Sequence, residues 1–347
     1  MSSVFTMLQE MFVTPPAPGH SHASTLLALP DGGVLAAWFA GSREGANDVR
    51  IQWSRFEPAT ARWSPPEEIS SGAHLPHWNP VLGRMPSGRV VLFFKVGATI
   101  ADWRTYVCEY DQSKQSWSRP AELIAGDDSG GRGPVKNKPI ILSNGWVLAP
   151  GSTECDSWRP FVDISRDDGH SWQKVAVELP TAVVDYKYTA LGLIQPALWE
   201  SAPGKVHMLL RSNAGRVYRS DSEDFGLSWS LPTATAQPNN NSGLDLLRLA
   251  DGRLLLAANR DGRNWGRRDE LYLYLSNDNG LSWPETQSLT LSDGEASKSE
   301  YPYTPGDGEA PTSEYSYPAI IGLSDGTVAL SYTWRRQCIR FQQWRID

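Results

Sequence analysis

Three copies of one eight-residue pattern, Ser-x-Asp-x-Gly-x-x-Trp, constrain the fold of this chain more than any other feature. The copies are Ser165–Trp172, Ser222–Trp229 and Ser276–Trp283. In such a segment Ser and Asp bond nearby backbone, Gly takes a positive φ, and Trp packs its ring between neighbouring sheets. We interpret the pattern as a structural turn and not as a catalytic motif. Degenerate copies end at Trp63 and Trp117, which makes five turns in all.

A second repeat marks the hairpins of the fold. It is a turn pair that ends in glycine and is followed by an apolar strand. The copies are Asp31-Gly32, Ser87-Gly88, Asn144-Gly145, Pro203-Gly204, Asp251-Gly252 and Asp325-Gly326. Each predicts the turn between the first two strands of a sheet. Because they are spaced 48 to 74 residues apart, they favour the blades of a propeller.

The end of the chain requires one long-range pairing. Only five hairpins are followed by a tryptophan turn, and little sequence follows the sixth. We therefore expect the N-terminal strand around Val4–Val13 to complete the last sheet. The prediction is an all-β, six-bladed β-propeller in which residues 1–347 form a single domain.

Charge and composition argue against several classes of partner. The formal net charge is −7, whereas a general nucleic-acid binder carries a basic face. Three widely separated cysteines do not make a disulfide framework. The first residues lack a signal-peptide pattern, and no apolar run is long enough to span a membrane. We expect a cytoplasmic protein with no nucleic-acid or membrane partner, no cofactor and no metal; the oligomeric state is left open.

The chain direction predicts which residues share one mouth of the ring. In each blade the start of the first strand and the end of the second lie at the same end. First-strand starts supply His22, Asn79, Lys138, Gln195, Ser242 and Tyr317. Second-strand ends supply Arg43, Glu44, Lys95, Glu154, Arg211, Arg260, Arg267, Arg268, Arg335 and Arg336. We expect Arg260, Arg335 and Arg336 to be mainly rim or packing residues.

The predicted mouth is dominated by Arg and Lys although the chain as a whole is acidic. Arginine pairs bidentately with carboxylates, so this mouth predicts an anionic ligand such as an acidic sugar. The segment Ser292–Ser316 leads directly to Tyr317 and is rich in Gly, Pro, Ser and Glu. Two interpretations remain open: the segment folds over the arginines as a lid when ligand binds, or it is a disordered loop that never touches the site.

With its repeated turns and six hairpins, the chain resembles the sialidase superfamily over nearly its whole length. The resemblance implies that Arg211 and Arg268 are the second and third arginines that hold the substrate carboxylate. It implies that Tyr317 is the nucleophile and that Glu44, with Asp48 as second choice, is the acid/base residue. The remaining predicted substrate contacts are Asn79, Lys95, Lys138, Glu154, Gln195 and Arg335.

Two positions depart from the pattern of that superfamily. His22, in Ser21-His22-Ala23-Ser24, replaces the first arginine, and Gln195 replaces the glutamate that activates the tyrosine. A phenol has a reference pKa of about 10. Tyr317 would therefore need activation by arginines, by His22, or by a carboxylate such as Glu154 or Glu314.

Three functions remain open from the sequence. The first is an exo-glycosidase on an acidic sugar, in which Tyr317 attacks the anomeric carbon and Glu44 protonates the leaving oxygen. The second is a lyase on a uronate, with His22 and Tyr317 as base and acid. The third is a sugar-binding propeller without catalysis, which the glutamine at position 195 would favour.

Overall fold

The computed structural model describes residues 4–181, 190–293 and 314–347. Their strands form six antiparallel sheets of four or five strands each, which are the blades of a β-propeller. The predicted all-β, six-bladed fold is confirmed. The segment Ser292–Ser316, interpreted as a lid or as a disordered loop, lies almost entirely outside the described residues. No helix in the described part of the chain is long and apolar enough to cross a membrane.

The first strand of the chain belongs to the last blade, and the first three complete blades follow it. The N-terminal strand is β1 (Phe5–Phe12). The first blade is β2 (His20–Ala28), β3 (Val34–Gly41), β4 (Arg50–Glu57), β5 (Arg62–Trp63) and β6 (Glu67–Ile69). The second is β7 (His77–Arg84), β8 (Val90–Val96), β9 (Arg104–Asp111), β10 (Ser116–Trp117) and β11 (Ala121–Glu122). The third is β12 (Ile140–Ile141), β13 (Val147–Glu154), β14 (Trp158–Ser165) and β15 (Gln173–Ala176).

The remaining blades have the same strand order. The fourth is β16 (Leu193–Ala202), β17 (Lys205–Ser212), β18 (Arg216–Ser222) and β19 (Thr233–Pro238). The fifth is β20 (Asp245–Arg248), β21 (Leu254–Ala258), β22 (Leu271–Ser276) and β23 (Ser288–Leu291). The sixth is β24 (Tyr315–Gly322), β25 (Val328–Trp334), β26 (Cys338–Ile346) and β1. Single 3₁₀ turns occur at Ile100–Asp102 and Glu285–Gln287.

The N-terminal strand closes the ring as predicted. β1 pairs antiparallel with β26, from Phe5 opposite Ile346 to Phe12 opposite Arg340. The backbone N–H of Val13 extends this pairing by donating to the Ile339 carbonyl at 2.9 Å. Both ends of the chain therefore lie in one sheet, with β1 as the outermost strand of the sixth blade.

The tryptophan turns pack against the neighbouring blade. In the third blade Asp167 accepts hydrogen bonds from Ser165 Oγ and from the backbone N–H of Ser171. Gly169 has φ +85, and a Cβ there would lie 2.8 Å from Met85 Sδ of the second blade. The Trp172 ring packs edge-on against Phe93 of β8, with centroids 6.1 Å apart. The repeat is thus structural, as its chemistry suggested.

Candidate active site

One backbone feature recurs where the blades meet the mouth. The residues that share it have a left-handed φ. They are Ala23 (55°), Asn79 (42°), Lys136 (67°), Gln195 (53°), Asn241 (60°) and Tyr317 (52°). In four blades the register of the first two strands also shifts here, for example between Ser316 and Ala319. Such bulges turn a side chain away from the plane of its sheet, which is how Tyr317 reaches the mouth.

The sequence alignment of the blades was offset by one or two residues in the first, third and fifth blades. The residues equivalent to Tyr317 there are Ala23, Lys136 and Asn241, and not His22, Lys138 and Ser242. Lys138 Nζ instead donates to both Asp245 carboxylate oxygens, at 2.9 and 2.8 Å, and to the Leu246 carbonyl. This contact joins the third and fifth blades, so we do not retain Lys138 as a substrate contact.

Tyr317 lies beside a buried arginine. Arg211 is 3% exposed, and its Nη1 donates to the Tyr317 phenolic oxygen at 2.6 Å and to Gln195 Oε1 at 3.0 Å. Its Nε donates to Asn241 Oδ1 at 2.8 Å. All three acceptors are uncharged. Within the described part of the chain, no carboxylate forms an ion pair with Arg211.

Gln195, which stands where a glutamate was expected, connects this arginine to a carboxyl group. Its Nε2 donates to Glu154 Oε1 at 3.1 Å, and Ser152 Oγ donates to the same oxygen at 2.8 Å. Burial raises the pKa of the Glu154 carboxyl, and the Arg211 charge offsets that rise only in part. Glu154 is therefore a carboxyl group that holds its proton more readily than an exposed glutamate does.

A second cluster is built around Glu314. Its Oε1 accepts from Arg268 Nη1 at 3.3 Å, and its Oε2 accepts from Arg336 Nε at 2.8 Å. Burial raises the pKa of the Glu314 carboxyl, but Arg336 and Arg268 lower it by more, so the net pKa lies well below the usual range. Arg268 Nη2 also donates to the Asn241 carbonyl at 3.1 Å. Asn241 thus links the Arg211 and Arg268 clusters.

Arg336 was expected to be a rim or packing residue, and its burial excludes the rim. It is 2% exposed, and its Nη1 donates to Glu44 Oε2 at 2.6 Å. Its backbone carbonyl accepts from the Ser21 N–H at 2.6 Å, next to His22. The sixth blade thus brings an arginine beside the first-blade position where His22 replaces the expected arginine. The adjacent arginines at positions 335 and 336 were the sequence feature that could have indicated this contact.

His22 is buried, which favours its neutral form. Burial lowers its pKa well below the usual range, and the nearby Arg336 lowers that pKa further. Its Nδ1 shares a hydrogen bond with Thr333 Oγ1 at 2.7 Å. Its ring lies 4.2 Å from the Tyr317 ring, centroid to centroid. The prediction that His22 and Tyr317 share the mouth agrees with this contact.

The other predicted site residues lie in positions that are less suited to contact with a ligand. Asp48 is exposed, and it accepts from the Ser42 N–H and hydroxyl, both at 2.9 Å, which closes its own loop. Lys95 is fully buried, and its Nζ donates to Thr105 Oγ1 and to the Arg132 carbonyl. Arg335 stacks on Trp334, 4.5 Å from the ring centroid. Asn79 is buried at the bulge of the second blade.

Two tryptophans that sequence reasoning missed flank the arginines. The Arg211 guanidinium lies 5.5 Å from the Trp158 ring and 5.9 Å from the Trp265 ring. The two indoles meet edge to face with centroids 6.5 Å apart. Nothing in the sequence distinguished these two from the thirteen other tryptophans of the chain.

The fold and the arrangement of this mouth define a sialidase-like β-propeller. The chain belongs to the BNR repeat-like domain family, whose model matches residues 32–330. Among curated proteins, none matches the chain.

Solved structures share the fold at low identity. A Dyadobacter fermentans protein of unknown function superposes with a TM-score of 0.73 at 15% identity, covering 99% of both chains. An intramolecular trans-sialidase from Ruminococcus gnavus superposes with a TM-score of 0.65 at 14% identity, covering 97% of both. A leech intramolecular trans-sialidase gives 0.66 at 13% identity, covering 98% of this chain and 70% of the other.

Proposed function

We propose that this protein is an enzyme that cleaves a glycosidic bond next to an acidic, carboxylate-bearing sugar. The observation that carries the proposal is the environment of Arg211. A buried charge without a counter-ion is costly, and among the described residues Arg211 donates hydrogen bonds to uncharged oxygens only. An anionic ligand would compensate that charge.

A carboxylate fits this position better than a bulkier anion. Arg211 Nη2 has no hydrogen-bond partner among the described residues, so it can donate to a ligand. The guanidinium is planar, and its side is covered by Trp158, which favours a flat ligand group that accepts in the same plane. Arg268 lies close by, 6.0 Å from the Tyr317 ring centroid, and adds positive potential to the same mouth.

Tyr317 is the proposed nucleophile. The hydrogen bond that it accepts from Arg211 favours negative charge on its oxygen, and the neutral imidazole of His22, whose ring contacts the Tyr317 ring, takes up the phenolic proton as the oxygen attacks. Attack on the anomeric carbon forms a bond between that carbon and the tyrosine oxygen. The glycosidic oxygen leaves and takes up a proton, and water then releases the sugar.

Glu154 is better suited than Glu44 to give that proton. The Glu44 carboxylate is engaged in an ion pair with Arg336 at 2.6 Å. The described residues that donate hydrogen bonds to Glu154, Ser152 and Gln195, are uncharged, and burial raises the pKa of its carboxyl group. A general acid near neutral pH needs such a raised pKa.

Elimination from a uronate is the second candidate, and the contact of His22 with Tyr317 favours it. A neutral imidazole can accept the C5 proton while Tyr317 protonates the leaving oxygen, and the arginines would stabilise the charge that develops on the carboxylate.

Product analysis distinguishes the two reactions. Incubation with oligosaccharides that end in N-acetylneuraminate or glucuronate should release a reducing acidic sugar without a new C4–C5 double bond. An unsaturated product that absorbs in the ultraviolet would show that the reaction is elimination and not hydrolysis. Binding without any product would indicate that the protein is a sugar-binding propeller without catalysis.

A further inference from the structure

A serine, a histidine and an aspartate are in contact at the hairpin end of the fourth blade, away from the mouth. Ser201 Oγ lies 2.7 Å from His207 Nε2, and His207 Nδ1 lies 2.5 Å from Asp221 Oδ1. The imidazole thus bridges a hydroxyl and a carboxylate through its two different nitrogens. This is the arrangement of groups that activates a serine as a nucleophile.

The strand register brings these residues together. His207 of β17 pairs with Trp199 of β16 on one side and with Asp221 of β18 on the other. Ser201 falls within a register shift of β16, next to the hairpin. A bulge of this kind turns a side chain out of the regular strand pattern, and here it places the hydroxyl against the imidazole.

The neighbouring contacts fix the tautomer of His207. The Trp199 indole N–H can only donate, and it lies 2.7 Å from Asn279 Oδ1. The amide nitrogen of Asn279 therefore faces the imidazole and donates to Nε2 at 3.2 Å. Because Nε2 accepts this hydrogen bond, it carries no hydrogen itself. The Ser201 hydroxyl then also donates to Nε2, and the imidazole hydrogen lies on Nδ1.

An ionised Asp221 holds the other side of the ring. Burial raises the pKa of the Asp221 carboxyl, but the hydrogen bond from His207 and the Arg219 charge lower that pKa by more. Its Oδ1 accepts from His207 Nδ1 and, at 2.9 Å, from Arg219 Nε. Arg219 Nη2 also lies 3.1 Å from Nδ1, but both nitrogens carry hydrogen, so this is a contact and not a hydrogen bond. The carboxylate thus orients the ring and can stabilise an imidazolium.

The base is held firmly, whereas the hydroxyl is open to solvent. His207 is 5% exposed, and its ring stacks on Trp199 with centroids 4.9 Å apart. Ser201 is partly exposed, and Ala202 and Pro203, which follow it, are exposed. An open hydroxyl beside a short hairpin favours a substrate with a small acyl group.

We propose that Ser201, His207 and Asp221 form a second catalytic site, which hydrolyses small carboxylic esters. Ser201 Oγ adds to the carbonyl carbon while His207 Nε2 takes the hydroxyl proton. The bond from that carbon to the alcohol oxygen then breaks, and the alcohol leaves with this proton, so that the acyl group remains on Ser201. Water, which loses a proton to His207, attacks the acyl carbon and releases the carboxylic acid, and the proton returns to Ser201.

Asn279 supplies a donor for the same reaction. One hydrogen of its amide is bonded to His207 Nε2, and the other has no acceptor in the ranges that the structure describes. That hydrogen can stabilise the negative charge that forms on the carbonyl oxygen beside Ser201. Asn279 belongs to the tryptophan turn of the fifth blade, so the site is completed by two blades. It is separate from the mouth and does not depend on the proposed function.

The test is covalent labelling of the full chain with a fluorophosphonate, which loses fluoride to an activated serine, followed by peptide mass spectrometry. The wild-type protein should carry the phosphonyl group on Ser201 and should hydrolyse p-nitrophenyl acetate. His207→Gln and Asp221→Asn should each slow labelling of Ser201 by roughly 10²- to 10⁴-fold, the contribution expected of a general base. Asp221 has a side chain that is 41% exposed, so Asp221→Asn keeps the test decisive if the buried His207→Gln variant does not fold.

Ser87 provides a matched control. It lies at the hairpin of the second blade, but its Oγ donates to the Asp168 carboxylate at 2.6 Å and not to a histidine. Ser87 should stay unlabelled, and Ser87→Ala should leave labelling of Ser201 and ester hydrolysis unchanged. An unlabelled Ser201, or equal labelling rates in wild type and Asp221→Asn, would show that the cluster only braces the fourth blade against the fifth, and the proposal would be wrong. Neither result bears on the carboxylate site of the mouth.

Discussion

Arg211 donates from Nη1 to the phenolic oxygen of Tyr317 at 2.6 Å, across 106 residues of sequence and from one blade to another. The same nitrogen donates to Gln195. One guanidinium therefore fixes the orientation of the proposed nucleophile and faces the proposed carboxylate site. Because a guanidinium cannot accept a proton, the proposed mechanism gives Arg211 the positioning role and gives His22 the proton-accepting role of the expected glutamate.

Arg211→Ala should lower kcat/KM by roughly 30-fold to several thousand-fold, because loss of a buried charge-assisted contact costs about 2–5 kcal/mol. Arg211→Lys should recover little, since an ammonium cannot make the same planar contacts. Steady-state kinetics on the cleaved oligosaccharide measure both. The matched control is Arg263→Ala, whose side chain is 68% exposed, and which should behave as wild type. Near-normal kinetics in Arg211→Ala would contradict the carboxylate site.

Glu154→Gln should remove the alkaline limb of the pH–rate profile and lower kcat about 10²- to 10⁴-fold. A general acid must hold its proton, so the wild-type rate falls as pH rises through the raised pKa of Glu154. Glu44→Gln should keep that limb, because its carboxylate is engaged with Arg336. If Glu44→Gln lost the alkaline limb and Glu154→Gln kept it, the general acid would be Glu44, as predicted from the sequence.

The sequence predicted the architecture because the fold is built from local repeats. The glycine hairpins and tryptophan turns each depend on fewer than ten adjacent residues, so their spacing alone indicated six blades. The pairing of β1 with the last blade could also be predicted, because too little sequence follows the sixth hairpin to supply the outer strand of that blade.

The site was harder to predict because its contacts cross the ring. The pair between Glu44 and Arg336 spans 292 residues, and no local pattern indicates it. Lys138 and Lys136 are two residues apart in Lys136-Asn137-Lys138, and only the backbone shows that Lys136 is the one equivalent to Tyr317. Contacts that depend on packing between blades could not be predicted from local motifs.

Glu314→Gln should destabilise the protein by about 3–5 kcal/mol, because it leaves Arg268 and Arg336 buried without their shared carboxylate. The pKa of Glu314 is depressed in the folded state. Its contribution is therefore present above the unfolded pKa of about 4.3 and is lost as pH falls below it. Urea unfolding at pH 7 and pH 3.5 should show a smaller acid-induced loss in the variant. The surface variant Glu285→Gln should match wild type at both pH values, and equal acid sensitivity in Glu314→Gln would refute the assignment.

Lys136→Met should lower both stability and activity. Lys136 Nζ donates to the Leu244 carbonyl at 2.7 Å, to Asn137 Oδ1 at 2.9 Å and to the Pro318 carbonyl, which adjoins Tyr317. Each buried carbonyl left without a donor costs about 1–3 kcal/mol. Thermal unfolding and kcat measure the two effects. Lys114→Met, at a side chain 75% exposed, should change neither; a Lys136→Met protein with wild-type kcat would show that this lysine does not position Tyr317.

The central claim is that the arginine-lined mouth recognises the carboxylate of an acidic sugar. The most direct test is titration calorimetry of N-acetylneuraminate and glucuronate beside their methyl esters, which keep the ring and remove the charge. At least one free acid should bind, its ester should bind ten- to a hundredfold more weakly, a difference of about 1.4–2.7 kcal/mol, and Arg211→Ala should abolish the difference. Equal binding of acid and ester, or binding of neither, would contradict the account.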